Sequence, residues 1–247
     1  QGMVLGPSYY SAATNKYLYA EDVRVEGDKA FAKASGEELA VKVEKMSKSK
    51  NNGVDPLHII DKYGADTARL FAMFAAPPEK ELEWNENGLA GSYRFIQRVW
   101  KLVDEGQNFF EKGSFNLEAV NKADKAIIRK LHLTIKKVTD SIEDNYHFNT
   151  SIAAAMELVN ELYDYKANIL EGNGQSSESK KVYTETVKTL VILLSPFAPH
   201  VCDELWEMMG EEGYLFNAEW PSHVEALTIS DEIEIAVQVN GKLRATV

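Results

Sequence analysis

The chain has 247 residues, of which 45% are hydrophobic and 26% charged, the composition of a globular protein with room for two or three modules. Its formal net charge of -11 excludes a general basic field for holding nucleic acid, so any RNA contact must be a local patch. No apolar run approaches the roughly 20 residues of a membrane span. We therefore expect a soluble protein that does not enter a membrane.

The termini and the cysteine content indicate the context of the chain. Residues 1–7 lack the basic start and small-residue cleavage site of a secretory signal and do not begin with Met, which predicts a cut inside a longer chain. The single cysteine, Cys202, cannot form an intrachain disulfide, and this fits a reducing cytoplasm. The histidines are dispersed without metal-ligand spacing, so no metal site is expected.

The first part of the chain predicts strands followed by a loop. Residues 16–20, 22–26 and 39–43 alternate apolar and polar side chains between turn-forming residues, which predicts short strands joined as hairpins. Residues 45–53 have no such period and are rich in cations and turn formers, so they should form a loop.

Helices are predicted from Asp55 onward. Asp55 can cap a helix that has Pro56 at its first position and ends at Gly64, and a second helix should stop before Pro77. Three apolar stripes at helical spacing follow. The stripes comprise Leu89, Tyr93, Ile96, Val99, Trp100 and Val103; then Val120, Ala123, Ile127, Leu131, Ile135, Val138 and Ile142; then Ile152, Ala155, Met156, Val159, Leu162, Tyr163 and Ile169.

The boundaries of the later helices can also be placed. Asn149 is predicted to cap the helix of the third stripe. Residues 171–177 should connect that helix to one that ends at Pro196. His200 should pack at the start of a last helix, which runs to Met209. Residues 233–244 alternate strictly and contain an Asn-Gly pair, which predicts a hairpin.

These elements define the predicted fold class and domains. The chain should be mainly α, an antiparallel helical bundle preceded by a small strand-rich segment with two short helices and followed by the start of a C-terminal β module. The predicted divisions are residues 1–50 (strands with the loop), 51–84 (short helices), 85–225 (helical bundle) and 226–247 (start of the β module).

Residues 45–49 read Lys-Met-Ser-Lys-Ser and match the KMSKS signature of class I aminoacyl-tRNA synthetases. Amino-acid activation by ATP displaces pyrophosphate, and ammonium groups on a mobile loop can stabilise the charge that accumulates on the phosphates. The resemblance implies catalytic roles for Lys45 and Lys48, with Lys48 at the phosphates. It also implies an ATP-binding site formed by Lys45, Met46, Ser47, Lys48 and Ser49, with Met46 near the adenine and the two serines shaping the loop.

Five residues alone also fit a solvated lysine-rich loop, and the continuation decides between the two interpretations. Residues 51–56, 63–71, 74–79 and 82–84 resemble the bacterial-type leucyl-tRNA synthetase family, whereas the isoleucyl and valyl families continue the loop differently. Residues 195–206 resemble the end of the anticodon-binding-type bundle, and 237–244 the start of the family's C-terminal domain. The resemblance implies that residues 1–50 end a catalytic domain, that 51–84 form stem-contact helices, and that 226–247 begin a truncated C-terminal domain. Residues 8–43 match less clearly and occupy the place of a leucine-specific insertion.

Candidate RNA contacts lie on the helix after Trp84. Arg94, Arg98 and Lys101 share one helix face, and the family places this helix near tRNA, which favours phosphate contacts with Tyr93 as a stacking partner. A solvated face answering Asp104 and Glu105 fits these residues equally well. The solvated interpretation is favoured for a second cationic set: Lys122, Lys125, Arg129, Lys130, Lys136 and Lys137.

The resemblance implies a part of a leucine-tRNA ligase, which attaches leucine to tRNA(Leu) through leucyl-adenylate. The His-Ile-Gly-His signature, a nucleotide-binding parallel sheet and the editing domain do not occur in this sequence, so the isolated chain should be inactive. We expect ATP with magnesium as cofactor of the parent protein, leucine and tRNA(Leu) as partners, a monomer, and a cytoplasmic location. A stand-alone helical RNA-binding module without catalysis is the alternative.

Overall fold

The computed structural model describes residues 2–172 and 174–229, together with the backbone of Ala236–Val239 and Lys242–Thr246. Strands and two short helices come first, and a bundle of longer helices follows, as the sequence predicts. The strands of the first part are β1 (Val4–Ser11), β2 (Lys16–Leu18), β3 (Val23–Glu26), β4 (Lys29–Ala32), β5 (Glu38–Lys45) and β6 (Leu82–Glu83).

The N-terminal strands form one sheet in the order β2-β1-β5-β4-β3, with β6 parallel to β1. The long pair β1 and β5 is antiparallel and brings Leu5 opposite Lys45. A small core of Val23, Ala30, Ala32 and Leu39 stabilises the outer hairpin. Strand β1 lies outside the predicted strands, because Gly6-Pro7 interrupts its strand pattern.

Two short helices follow the loop, α1 (Pro56–Tyr63) and α2 (Ala65–Phe74). The side chain of Asp55 accepts a hydrogen bond from the Leu57 amide, and Pro56 occupies the first helical position, as predicted. Gly64 separates the helices with a φ of 84°, a left-handed conformation that favours glycine. These helices therefore join the sheet to the bundle.

The bundle consists of α3 (Glu86–Asp104), α4 (Lys122–Asn145), α5 (Phe148–Tyr165), α6 (Ser177–Leu194) and α7 (Pro199–Met208). A π-helical turn, Lys166–Leu170, extends α5. Helix α4 packs against both α5 and α6, and all three predicted stripes contribute residues to the core. The fully buried side chains include Leu102, Ile152, Leu158, Leu162, Tyr183, Leu190 and Phe197. The fold-class prediction is confirmed.

Three local predictions were wrong. Asn149 does not cap α5, because the helix begins at Phe148 and His147 precedes it without a side-chain cap. Tyr93 lies outside the buried stripe with 38% of its surface exposed, since Phe95 and Leu102 take the core positions of α3. His200 does not pack into the core; its side chain is 77% exposed and binds a buried carboxylate.

The tail forms a hairpin in its described backbone. Strands β7 (Ala236–Val239) and β8 (Lys242–Thr246) pair antiparallel, in agreement with the predicted β module. The predicted Asn-Gly turn and residues 233–235 lie outside the described residues. Within the described ranges, no helix is both long enough and apolar enough to cross a membrane.

Candidate functional site

The lysine loop leaves the sheet where β5 ends. Lys45 is the last residue of β5, and the Met46 amide donates a hydrogen bond to the Val4 carbonyl of β1 at 3.0 Å. Because β1 and β5 pair along most of their lengths, the first residues of the loop have a fixed backbone position. The predicted loop thus begins on a rigid support.

The loop contains one short turn. Lys48–Lys50 form a 3-10 turn that Ser47 precedes in an extended conformation. The Ser47 and Ser49 hydroxyls lie 3.2 Å apart and share a hydrogen bond. Asn51 ends the turn with a φ of 50°, and its side-chain amide donates to the Tyr17 carbonyl of β2 at 2.8 Å.

Glu44 and Lys50 form an ion pair beside the loop. The Ser8 hydroxyl donates to the other carboxylate oxygen of Glu44 at 2.6 Å. The Lys50 hydrogen bond, helped by that of Ser8, lowers the pKa of Glu44 below its ordinary value, so this carboxylate stays charged at neutral pH. Lys50 is thereby neutralised, which distinguishes it from the two lysines of the predicted site.

Lys45 and Lys48 are exposed, and Met46 is half-buried. Among the described side chains, no carboxylate lies within ion-pairing distance of either ammonium group. Two uncompensated cations on one loop can attract an anionic ligand, and a triphosphate carries the required charge. No cluster of three His, Cys, Asp or Glu side chains suited to a metal ion occurs in the described ranges.

The second candidate surface is the exposed face of α3. Arg94, Arg98 and Lys101 are all exposed there, and the structure pairs none of them with Asp104 or Glu105 in the described part of the chain. Glu105 instead approaches Lys166 of the π-helical turn at 3.5 Å. The described side chains therefore do not show the ion pairs with Asp104 and Glu105 that the alternative interpretation of these cations would involve.

Arg98 is held by an aromatic side chain of α5. Its guanidinium lies 4.8 Å from the centre of the Tyr163 ring, and the Tyr163 hydroxyl donates to the Arg98 carbonyl at 3.0 Å. A cation over an aromatic face is stabilised by the ring quadrupole while its edge stays open to solvent. Partial burial raises the pKa of Tyr163, so the hydroxyl remains a donor.

A cleft of about 720 Å³ runs between α2, β6, α3 and α5. Arg94 and Arg98 line one side, Glu81 and Glu83 also line it, and its remaining walls are largely apolar. Lys101 lies outside the cleft lining, and Tyr93 packs edge-on against Tyr63 with ring centres 5.7 Å apart. The structure therefore brings two of the three predicted cations together with a concave surface.

The cations of α4 are partly paired with acceptors elsewhere in the chain. Lys130 binds Glu157 at 2.6 Å, Lys136 binds Glu225 at 2.8 Å, and Arg129 Nε donates to the Thr228 carbonyl at 3.0 Å. The segment after α7 thus covers part of this helix. These three side chains of α4 therefore have partners within the described part of the chain.

Sequence reasoning missed two groups that position these surfaces. The buried Asp66 of α2 accepts hydrogen bonds from His200 Nδ1 at 2.8 Å and from the Val201 amide at 2.7 Å, so it fixes the start of α7. Asn52, at the end of the loop, is 8% exposed and binds the loop backbone. No local sequence pattern predicts either role, because the hydrogen-bond partners of Asp66 and Asn52 are brought close only by the tertiary structure.

A KMSKS loop at the end of a sheet strand, followed by two short helices and an antiparallel bundle, defines the class I tRNA ligase type of protein. The family "Anticodon-binding domain of tRNA ligase" matches residues 124–247, and "tRNA synthetases class I (I, L, M and V)" matches residues 34–85. The chain belongs to the first of these families over half its length.

Its relatives make the assignment more specific. The chain is 58% identical to a leucine–tRNA ligase of Fusobacterium nucleatum and 43% identical to one of Hahella chejuensis, with all of the chain covered in both comparisons. It spans only 28% and 29% of the lengths of these relatives. The ternary LeuRS–tRNA–LeuAMS complex of Agrobacterium radiobacter K84 superposes with a TM-score of 0.69 at 32% identity, covering 83% of this chain and 25% of that one.

Proposed function

We propose that the protein containing this chain is a leucine–tRNA ligase, and that this chain supplies its ATP loop and its tRNA-docking bundle. The observation that carries the proposal is a loop of the KMSKS sequence whose two lysines have no ion-pair partner among the described side chains, in a chain whose relatives are leucine–tRNA ligases. The isolated chain is inactive, because these residues provide only part of an ATP site.

The chemistry follows from charge. A leucine carboxylate oxygen attacks the α-phosphorus of ATP, the bond to the bridging oxygen breaks, and pyrophosphate leaves with added negative charge. Lys48 faces that charge and Lys45 supports it electrostatically, while Met46 contacts the adenine and Ser47 and Ser49 shape the loop. Magnesium would accompany ATP in the parent protein and would neutralise part of the phosphate charge there. The second half-reaction transfers leucine to tRNA(Leu) and releases AMP.

The bundle supplies the RNA surface in this proposal. Arg94 and Arg98 contact phosphates from the rim of the cleft, and Lys101 adds a weaker contact along the same helix. Arg98 is pre-positioned on Tyr163, which reduces the entropy that it loses on binding. In this proposal the chain divides into domains at residues 50, 84 and 225. The parent protein is a monomer and is located in the cytoplasm.

The catalytic assignment is tested by a Lys48→Ala substitution in the full-length parent protein. Loss of a preorganised charge at the leaving group should lower the rate of leucine-dependent ATP–pyrophosphate exchange by about 100-fold or more. Lys42→Ala is the matched control, because Lys42 is an exposed lysine of the preceding strand outside the motif. An exchange rate within about twofold of the parent would remove the catalytic role of Lys48.

The RNA assignment is tested by the salt dependence of tRNA(Leu) binding. Arg94→Ala and Arg98→Ala should each weaken binding and reduce the slope of log affinity against log salt by about 1. Lys130→Ala is the matched control, since Lys130 is already paired with Glu157. Arginine variants that bind tRNA as tightly as this control would contradict the proposed surface.

A further inference from the structure

The side-chain amide of Asn52 meets the loop and both strands that carry it. Its Oδ1 accepts a hydrogen bond from the Ser47 amide at 2.8 Å. Its Nδ2 lies 3.3 Å from the Gly6 carbonyl of β1 and 3.4 Å from the Glu44 and Lys45 carbonyls of β5. One buried planar group is therefore shared among three backbone segments.

These contacts close the loop into a short ring. The Ser47 amide and the Asn52 side chain span the intervening 3-10 turn, and Lys48 is the first residue of that turn. Gly6 permits the close approach, since a Cβ there would lie 3.2 Å from the Asn52 carbonyl and 2.8 Å from Met46 Cε. The loop backbone before Lys48 thus has its position set by Asn52 and not only by β5.

We propose that Asn52 is a positioning residue for the lysine loop, which fixes the backbone of Ser47 and so directs Lys48 toward the leaving pyrophosphate. Asn52 is too enclosed to touch a ligand itself, with 8% of its surface exposed. It acts through Ser47 and holds the loop on the end of the β1–β5 pair. This inference rests on the proposed function.

The amide chemistry makes the inference specific. An aspartate at this position has the same shape and can still accept from the Ser47 amide, but it has no N–H group to donate to the surrounding carbonyls. Its charge would also lie beside those carbonyl oxygens, which repel it. The Asn52→Asp variant therefore disturbs the contacts to β1 and β5 while it changes the side-chain volume very little.

The experiment uses the full-length parent protein with Asn52→Asp, Asn52→Ala and Lys48→Ala. Three quantities are measured: kcat and KM for ATP in ATP–pyrophosphate exchange, the rate of leucine transfer to tRNA from supplied leucyl-adenylate, and the thermal midpoint. Asn121→Ala is the control for stability, because Asn121 caps α4 through the Asp124 amide and lies outside the loop.

Misplacement of Lys48 should lower the exchange kcat by about 10- to 100-fold in both Asn52 variants and change KM for ATP less. Transfer from supplied leucyl-adenylate should stay within about twofold of the parent, since no pyrophosphate leaves in that step. Asn121→Ala should lower the thermal midpoint without changing the exchange kcat.

Two results would overturn the positioning role. One is an unchanged exchange kcat in Asn52→Asp while Lys48→Ala loses exchange, which would leave the proposed function intact. The other is an Asn52→Asp protein that loses both half-reactions and thermal stability together, because a merely structural role produces that pattern. An unchanged exchange rate in Lys48→Ala would instead refute the proposed function itself.

Discussion

Replacement of Asp66 by alanine should destabilise the junction between α2 and α7. Asp66 is 4% exposed, and its carboxylate accepts from the Val201 amide at 2.7 Å and from His200 Nδ1 at 2.8 Å. Val201 lies in the first turn of α7, so the carboxylate satisfies an amide that has no partner within the helix. Asp66 thus acts as a capping group that another helix provides.

The magnitude follows from these contacts. A hydrogen bond to a charged group contributes about 1.5–3 kcal/mol, and the negative charge at the start of a helix adds about 0.3–1 kcal/mol. We expect Asp66→Ala to lower the free energy of unfolding by roughly 2–3 kcal/mol. For a chain of this size, that loss corresponds to a thermal midpoint lower by about 4–12 °C.

The assay is thermal and urea unfolding of the chain followed by far-ultraviolet circular dichroism. Asp66→Asn keeps an acceptor for the Val201 amide and should lose about 1 kcal/mol. Asp61→Ala changes an exposed aspartate of α1 and should stay within about 0.5 kcal/mol of the parent. A midpoint for Asp66→Ala within about 1 °C of the Asp61→Ala control would refute the capping argument.

Three further predictions test other parts of the fold. Burial lowers the pKa of His132 from 6.5, and the Val224 amide donates a hydrogen bond to its Nδ1 at 3.2 Å. As the pH drops, the unfolded chain therefore protonates this histidine before the folded chain does. The free energy of unfolding should then fall as the pH decreases from about 6.5 through the lower pKa of the folded state. Urea titrations at pH 7.5 and 5.5 should show a smaller decline in His132→Asn, and an equal decline would exclude this role. Tyr165→Phe should lower the free energy of unfolding by about 1–3 kcal/mol, because the Tyr165 hydroxyl donates to the buried carboxylate of Asp124. Tyr183→Phe should lower it by about 0.5–1.5 kcal/mol, because the Tyr183 hydroxyl donates to a backbone carbonyl. The reverse order of these two losses in urea unfolding would contradict the argument. Gly88→Ala should destabilise the chain by about 1–3 kcal/mol despite the better helix propensity of alanine, because the new Cβ would lie 2.7 Å from the buried Phe71 ring. If thermal unfolding shows that the variant is more stable than the parent, the ring can move aside and the argument fails.

Local patterns account for the parts of the fold that sequence reasoning predicted. Asp55-Pro56 and Gly64 delimit α1 because capping and backbone preferences act within a few residues. The stripes around Ile127 and Val159 identify buried helix faces, since helical periodicity is a property of neighbouring residues. The lysine loop was predicted from its own residues in the same way.

The errors arose where a local preference competed with packing. Asn149 has the composition of a helix cap, yet α5 begins one residue earlier and the Asn149 Oδ1 is buried without a hydrogen-bond partner among the described residues. Tyr93 has the spacing of the apolar stripe, but Phe95 and Leu102 of the same helix fill the interior. The apolar stripe of a helix therefore predicts only approximately which of its faces the neighbouring helices cover.

The sequence by itself determined the helices, the loop with its two lysines and the resemblance to a tRNA ligase, because these depend on residues close together in the chain. Only the tertiary structure decided what surrounds them. It paired β1 with β5, placed Asn52 against Gly6 and Ser47, and set Asp66 at the start of α7, 135 residues away in the chain. Such contacts depend on long-range packing, and a linear pattern of residue types does not encode which distant amide or carbonyl will be left for a side chain to satisfy.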